Sequence, residues 1–254
     1  WNLETRRLAW GHRGHVRRIK DLAFSPDGKR VVTGSYDATV KAWDTATGEM
    51  LGVFSEQDSP ISSISFNSDG TRMASGSLDK TVMIWDTSNG QLNLTLKGHE
   101  GPIYCTSFSP DGKRIASSGS SRSVTIWDAE TGQHRLSLKG HTGAIQRITF
   151  SRDGQRIISA SDDNTIKVWD ATTDPEALTL NGHSSAVQCV AFDPAGTRVA
   201  SCGLDQSVKV WNAVAGKLIQ TLTGHLDLVH CVAFSPDGRQ IASASADKSV
   251  KLWQ

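Results

Sequence analysis

Short apolar segments alternate with turn residues along the whole chain. Residues 187–192, Val-Gln-Cys-Val-Ala-Phe, make a compact apolar run; Asp193-Pro194-Ala195-Gly196 turns the chain; residues 197–202 form a second run; Gly203 to Asp205 turns it again; and Ser207 to Trp211 alternates toward one face. A fourth segment follows the tryptophan, as in Gln91 to Leu96, where Leu92, Leu94 and Leu96 share one face. Ser-Pro-Asp-Gly stands at 25–28, 109–112 and 235–238, where proline pre-sets φ and glycine accepts the left-handed position of a hairpin. The pattern predicts units of four short antiparallel strands, without helices or linkers. One such sheet cannot cover both of its faces, so the units must stack on one another.

The units recur at one interval. Trp1, Trp43, Trp85, Trp127, Trp169, Trp211 and Trp253 are each 42 residues apart. Gly28, Gly70, Gly112, Gly154, Gly196 and Gly238 lie fifteen residues before successive tryptophans, with Phe24, Phe66, Phe108, Phe150, Phe192 and Phe234 four residues earlier still. Six units fit without insertion or deletion, since 254 is six periods of 42 plus two, and Trp1 and Trp253 occupy equivalent positions.

These units resemble WD repeats. The resemblance rests on Gly182-His183 followed by Val-Ala-Phe at 190–192 and Val-Lys-Val-Trp at 208–211, and on the pairs Trp43-Asp44, Trp85-Asp86, Trp127-Asp128 and Trp169-Asp170. It covers the whole chain and implies an all-β fold: a single β-propeller domain over residues 1–254, built of six radially packed four-stranded blades. It also implies closure by strand exchange, with residues 5–12 as the outer strand of a blade whose three inner strands lie at 227–253. Such closure removes an edge open to aggregation. Most propellers of this family have seven blades, and His12 stands in the register of Phe54, Leu96, Leu138, Leu180 and Leu222. A fragment of a larger ring and pairing with a second chain are the alternatives.

Composition narrows the function. With 27 Lys+Arg against 26 Asp+Glu the net charge is +1, so no basic excess points to nucleic acid or an anionic membrane. No apolar run approaches the roughly 20 residues of a membrane span. The four cysteines lack a C-x-x-C pair, which fits a reducing, intracellular and cytoplasmic setting without zinc or another cofactor. Cys105, Cys189 and Cys231 each lie six residues after a repeat histidine, and with Cys202 they read as small apolar packing groups. There is no signal peptide, and the chain does not begin with Met, which points to an excised domain or a processed product.

The most tempting chemistry is a recurring set of His, Ser or Thr, Asp and Trp. It reads His15, Thr33, Asp37 and Trp43 in the first unit; His141, Ser159, Asp163 and Trp169 in the fourth; His183, Ser201, Asp205 and Trp211 in the fifth; and His225, Ser243, Asp247 and Trp253 in the sixth. A hydrolase needs one activated nucleophile in one cleft, whereas this set occurs once per structural unit. The resemblance implies a structural role, a buried chain of hydrogen bonds from indole through hydroxyl and imidazole to the turn carboxylate. The second unit departs with Gln57 in place of the histidine, beside Ser75, Asp79 and Trp85. The third departs with Ser121 in place of the aspartate, beside His99, Ser117 and Trp127, so these two blades are expected to be the softest.

Every connection is minimal, so no inserted loop offers an enzyme site, and no axial cluster of unlike ionisable residues is apparent. The chain therefore reads as a non-catalytic protein-interaction scaffold, with an architectural or sensor module of a larger protein, or a small-ligand propeller, as alternatives. In WD propellers, partners contact the narrow top face through the third and fifth residues after the repeat histidine and the residue before the turn carboxylate. Carried over by register, the resemblance implies a partner site of Arg18, Lys20, Tyr36, Leu78, Pro102, Tyr104, Gln146, Asp162, Gln188, Leu204, Leu228 and His230. Tyr36 and Tyr104 are the only two tyrosines in the chain, and tyrosine is enriched at binding hot spots. Arg18, Lys20 and His230 would form a basic sector if the ring closes, while Leu78, Pro102 and Tyr104 form an apolar one. A protein or peptide carrying an acidic residue and an apolar anchor complements both.

Overall fold

A computed structural model describes residues 7–173 and 177–254. Among these, all regular structure is strand. The strands form antiparallel sheets in simple sequence order: five four-stranded sheets over residues 19–54, 61–96, 103–139, 145–181 and 187–222, and a three-stranded sheet over 229–253. The fifth sheet illustrates the register, with Val199 opposite both Phe192 and Trp211, and Ser201 opposite both Val190 and Lys209. The turn between second and third strands holds a left-handed residue in every sheet. None of the six is glycine: Ala38, Lys80, Arg122, Asn164, Gln206 and Lys248 have φ between 61° and 75°.

The first strand of each sheet packs on the first strand of the next, so the inner strands Ile19–Phe24, Ile61–Phe66, Ile103–Phe108, Ile145–Phe150, Val187–Phe192 and Val229–Phe234 stand side by side along an axis. The core lies between sheets. Five buried apolar clusters join neighbouring pairs; one sets Val124, Ile126 and Leu138 of the third sheet against Ile145, Ile157 and Trp169 of the fourth.

A polar clamp crosses most of the same interfaces. Arg114 donates from Nη1 to the Ala171 carbonyl at 2.9 Å and from Nη2 to the Gly154 carbonyl, while its guanidinium lies 5.4 Å from the centre of the Phe150 ring. Arg72, Arg156 and Arg198 stack on Phe108, Phe192 and Phe234 in the same way. Arg72, Arg114 and Arg156 thus each satisfy two backbone carbonyls of the next sheet, and Arg198 one, while their stems cover apolar surface.

The expected strand-exchange closure is not found. Residues 5 and 6 lie outside the described residues, Arg7 makes only an isolated bridge, residues 8–15 form no strand, and among the described residues the sixth sheet has three strands. Segment 10–15 packs on the first sheet instead: Trp10 Nε1 donates to the Thr45 carbonyl at 2.9 Å, and His12 stacks on Trp43 at 6.0 Å, much as Phe54 packs on Trp85 at 5.4 Å. Val250 and Leu252 of the sixth sheet are 70% and 69% exposed, whereas their counterparts Val208 and Val210 are 0% and 6% exposed. Phe24 at the other end of the row is 62% exposed against 7% for Phe150. The sequence offers a physical reason, because the arginine register runs 30, 72, 114, 156, 198 and then meets Gln240, which has no guanidinium to clamp a following sheet.

The clamp predicts an asymmetric pair of substitutions. Arg114→Ala is expected to cost about 2 kcal/mol by removing two charge-assisted bonds and a cation–π contact. Gln240→Arg should change stability by less than about 0.5 kcal/mol, as a surface substitution that meets no partner sheet. Urea midpoints at constant slope measure both.

Candidate functional site

The recurring polar set is a continuous hydrogen-bonded chain in four sheets. In the fifth, Trp211 Nε1 donates to Ser201 Oγ at 2.8 Å, Ser201 Oγ lies 2.7 Å from His183 Nε2, and His183 Nδ1 lies 2.7 Å from Asp205 Oδ2. The indole can only donate, so the hydroxyl accepts from it and donates to Nε2. Nδ1–H then donates to the carboxylate, which fixes the tautomer. The same chain runs through Trp43, Thr33, His15 and Asp37; through Trp169, Ser159, His141 and Asp163; and through Trp253, Ser243, His225 and Asp247.

Each carboxylate also accepts the backbone N–H that follows the histidine, from Val16 at 3.0 Å, Thr142 at 2.9 Å, Ser184 at 3.2 Å and Leu226 at 3.0 Å. Burial opposes ionisation of Asp163, but bonds from Thr165, the Thr142 amide and His141 outweigh it and bring its pKa to about 2. Burial lowers the pKa of His141 and His183 despite their aspartates, so both imidazoles are neutral at pH 7. The geometry resembles a catalytic triad, but the hydroxyls of Ser159 and Ser201 belong to residues with no exposure and are already bonded on both sides. No substrate carbonyl can approach them.

The two departing sheets solve the same problem differently. Gln57 is buried, and its amide replaces the imidazole: Ser75 Oγ donates to Gln57 Oε1 at 2.7 Å while still accepting from Trp85 Nε1 at 2.9 Å. In the third sheet the chain ends early. Trp127 Nε1 donates to Ser117 Oγ at 2.7 Å and Ser117 bonds His99 Nε2 at 2.6 Å, but Ser121 is too short to reach Nδ1 and pairs with Ser123 Oγ at 3.4 Å. Burial, reinforced by nearby His134, pushes the His99 pKa down to about 4.

An axial cluster of unlike ionisable residues does exist, contrary to the sequence-based expectation. Asp21, Ser63, Cys105, Arg147, Cys189 and Cys231 share one register, each 42 residues apart on an inner strand. Arg147, Cys189 and Cys231 line an open axial cleft of about 600 Å³. Asp21 Oδ2 accepts from the Ile64 amide at 2.8 Å and Ser63 Oγ from the Thr106 amide at 3.0 Å, so this register ties neighbouring inner strands. Cys189 Sγ and Cys231 Sγ lie 3.8 Å apart. A hydrogen bond with Cys202 and burial push the Cys189 thiol up to about 11, and burial raises that of Cys105, so these sulfurs stay protonated rather than serving as nucleophiles. Among the described residues no three His, Cys, Asp or Glu side chains are grouped to hold a metal ion.

On the loop face, one backbone bond within each sheet ties two of the positions that the resemblance marks for partner contact. The Tyr36 amide donates to the Arg18 carbonyl at 2.9 Å, Leu78 to Pro60 at 3.1 Å, Ser120 to Pro102 at 3.1 Å, Asp162 to Ala144 at 2.9 Å, Leu204 to Ala186 at 2.9 Å, and Ala246 to Leu228 at 3.0 Å. Arg18, Lys20, Asp162, Leu204 and His230 are exposed, while Tyr36, Leu78, Pro102, Tyr104, Gln146, Gln188 and Leu228 are half-buried. Gln146 Nε2 donates to Asp162 Oδ2 at 2.8 Å. Arg18 and Lys20 belong to the first sheet and His230 to the sixth, at opposite ends of an open row, so the single basic sector that closure would create does not form.

Radially stacked sheets, each stitched by the indole-to-carboxylate chain, define an all-β repeat scaffold of the propeller class. The family model "WD domain, G-beta repeat" matches residues 6–44, 48–86, 90–128, 132–170, 176–212 and 216–254, and the chain belongs to this family of WD-repeat proteins, whose propellers generally act as non-catalytic protein-interaction scaffolds. The chain is similar to human WD repeat-containing protein 36, 31% identical over 24% of this chain and 7% of that protein. It is also similar to Periodic tryptophan protein 2 homolog of Dictyostelium discoideum, 35% identical over 25% of this chain and 7% of that protein. Vegetative incompatibility protein HET-E-1 of Podospora anserina is 48% identical over 19% of this chain and 3% of its own length. The matched stretches are thus small parts of all three relatives.

The His99 environment gives a pH prediction. Its folded pKa of about 4 lies below the unfolded value of 6.5, so stability is fully present above pH 6.5 and is lost as pH falls toward 4, while only the unfolded chain takes up the proton. The loss approaches about 1.4 kcal/mol per pH unit within that window. His99→Gln copies the amide solution of Gln57. It should flatten the stability profile between pH 6.5 and 4 by about 1 kcal/mol per unit while changing stability at pH 7 by about 1 kcal/mol or less, as read by urea unfolding at each pH.

Proposed function

We propose that this chain acts as one scaffold unit over residues 1–254 and docks a protein or peptide on the loop face, with Tyr104 and Tyr36 as apolar anchors. The observation that carries this reading is the recurring backbone bond on that face, from 2.9 to 3.1 Å, which holds two contact positions together in every sheet. A rigid array of partly exposed side chains loses little entropy on binding. Pro102 and Tyr104 offer an apolar surface in the third sheet, and Arg18 with Lys20 an electrostatic complement in the first, so the partner carries an acidic residue and an apolar anchor. Neither nucleic acid nor a membrane surface fits a net charge of +1. No helix among the described residues is long and apolar enough to cross a membrane.

Tyr104→Ala should weaken a partner recovered by pull-down by about thirtyfold or more, the cost of losing a central aromatic anchor. Lys20→Ala should weaken it less than about fivefold and flatten its salt dependence. Lys113→Glu and Arg239→Glu, exposed beside the Pro-Asp-Gly turns, serve as controls on the opposite face and should leave affinity unchanged. Arg72 is unsuitable there, because it bonds the Ala129 and Gly112 carbonyls across a sheet interface and its reversal would test packing. Affinity lost through the two controls but retained in Tyr104→Ala would place docking on the other face.

A further inference from the structure

Four sheets show what their polar chain requires at its outer end: one carboxylate that accepts the imidazole Nδ1–H, the next backbone N–H, and the N–H and hydroxyl of the residue two positions on. The third sheet keeps these donors and lacks the acceptor, because Ser121 stands in the aspartate register. His99 Nδ1 and the Glu100 amide have no acceptor among the described residues, and Ser123 supplies the amide and hydroxyl corresponding to those of Ser207. A cleft of about 370 Å³ opens at this point, lined by His99, Glu100, Ser121, Arg122, Ser123 and Lys139, among others. Arg122 and Lys139 bring two cations to the cleft against one carboxylate, that of Glu100.

We propose that this cleft is a carboxylate-binding site, in which an acid from outside the chain takes the place that Asp37, Asp163, Asp205 and Asp247 fill in their own sheets. The ligand accepts from His99 Nδ1, the Glu100 amide and Ser123, with Arg122 and Lys139 supplying the countercharge. The donors are pre-positioned by the same strand and turn geometry that binds a built-in carboxylate elsewhere in the molecule, so little ordering opposes binding. A small free acid and an Asp or Glu side chain of a docked partner present the same group. Pro102 and Tyr104 belong to the same sheet, so the second source would extend the loop-face reading, while the site itself does not depend on that reading.

The test follows the His99 imidazole signals by NMR in the intact chain labelled at histidine, assigned by their disappearance in His99→Gln. Sodium acetate should move them saturably, with half-saturation at roughly millimolar concentration, while chloride at equal ionic strength should not. Ser121→Asp supplies the missing group from within, so it should raise the melting temperature by a few degrees and reduce the acetate response at least tenfold. Arg122→Gln alters only an exposed side chain and should weaken acetate severalfold, which keeps the test decisive if the aspartate variant folds poorly. Blocked aspartate, N-acetyl-aspartate amide, binding more tightly than acetate assigns the site to a partner's side chain; equal or weaker binding assigns it to a free acid. Signals that stay fixed to 100 mM acetate, or that move equally in wild type and Ser121→Asp, overturn the proposal, whatever Tyr104→Ala does to partner affinity.

Discussion

No sheet in this protein covers its own faces, and the requirement that each be covered by its neighbours governs everything else. The buried apolar clusters lie between sheets, so a sheet is stable only as part of a row. Burying one Val or Leu side chain is worth roughly 1.5–3 kcal/mol, and each interface buries several. The arginine clamp adds direction to that non-directional force. It must meet particular carbonyls of the next sheet, at residues 40 and 57 positions further along the chain, and so fixes how one sheet is set against the next.

The same logic explains the two ends. An apolar third strand that is buried in the fifth sheet becomes an exposed surface in the sixth, although the residues are of the same kind, because what differs is the neighbour. Val250 and Leu252 at one end and Leu22 and Phe24 at the other are therefore consequences of the row's geometry, not of a change in local pattern. The axial register shows the complementary effect. Identical placement on successive inner strands brings Cys189 beside Cys231, so a repeat converts a sequence separation of 42 into a contact.

Much of this was legible in the sequence, and what was not has physical causes. The interval of the tryptophans and the Pro-Asp-Gly turns specify strand number, order and register, because hairpins are local. The His, Ser and Asp positions specify the polar chain, because its members are brought together by two adjacent hairpins. Closure is different in kind: each unit encodes contacts with its neighbours, and nothing in a single unit encodes the total angle. Gln240 was the available signal, as the one member of the arginine register unable to clamp. The axial cluster was hidden for another reason. Cys105, Cys189 and Cys231 stand out by type, but their register mates Asp21, Ser63 and Arg147 do not, and only alignment by register puts all six on one axis. The left-handed residues in the second turns were equally illegible, since the fixed turn geometry overrides the preference for glycine at Lys80 or Arg122.

The two irregular sheets separate what the polar chain does for stability from what it leaves open for binding. Both lose one member, yet the consequences differ because the lost groups have different partners. Replacing the imidazole by the Gln57 amide retains a donor and an acceptor on one side chain, so the hydroxyl of Ser75 and the indole of Trp85 remain satisfied and the site stays sealed. Replacing the carboxylate by Ser121 removes acceptor capacity at the solvent end of the chain, where several donors converge. A donor lost in the interior must be answered from within the chain, but an acceptor lost at the rim can be answered from outside it. The third sheet thus keeps its buried indole, hydroxyl and imidazole in the common arrangement while its outer end faces a cleft. A repeat scaffold can acquire a distinct recognition site in this way by one substitution at the exposed end of a structural network, without inserting a loop.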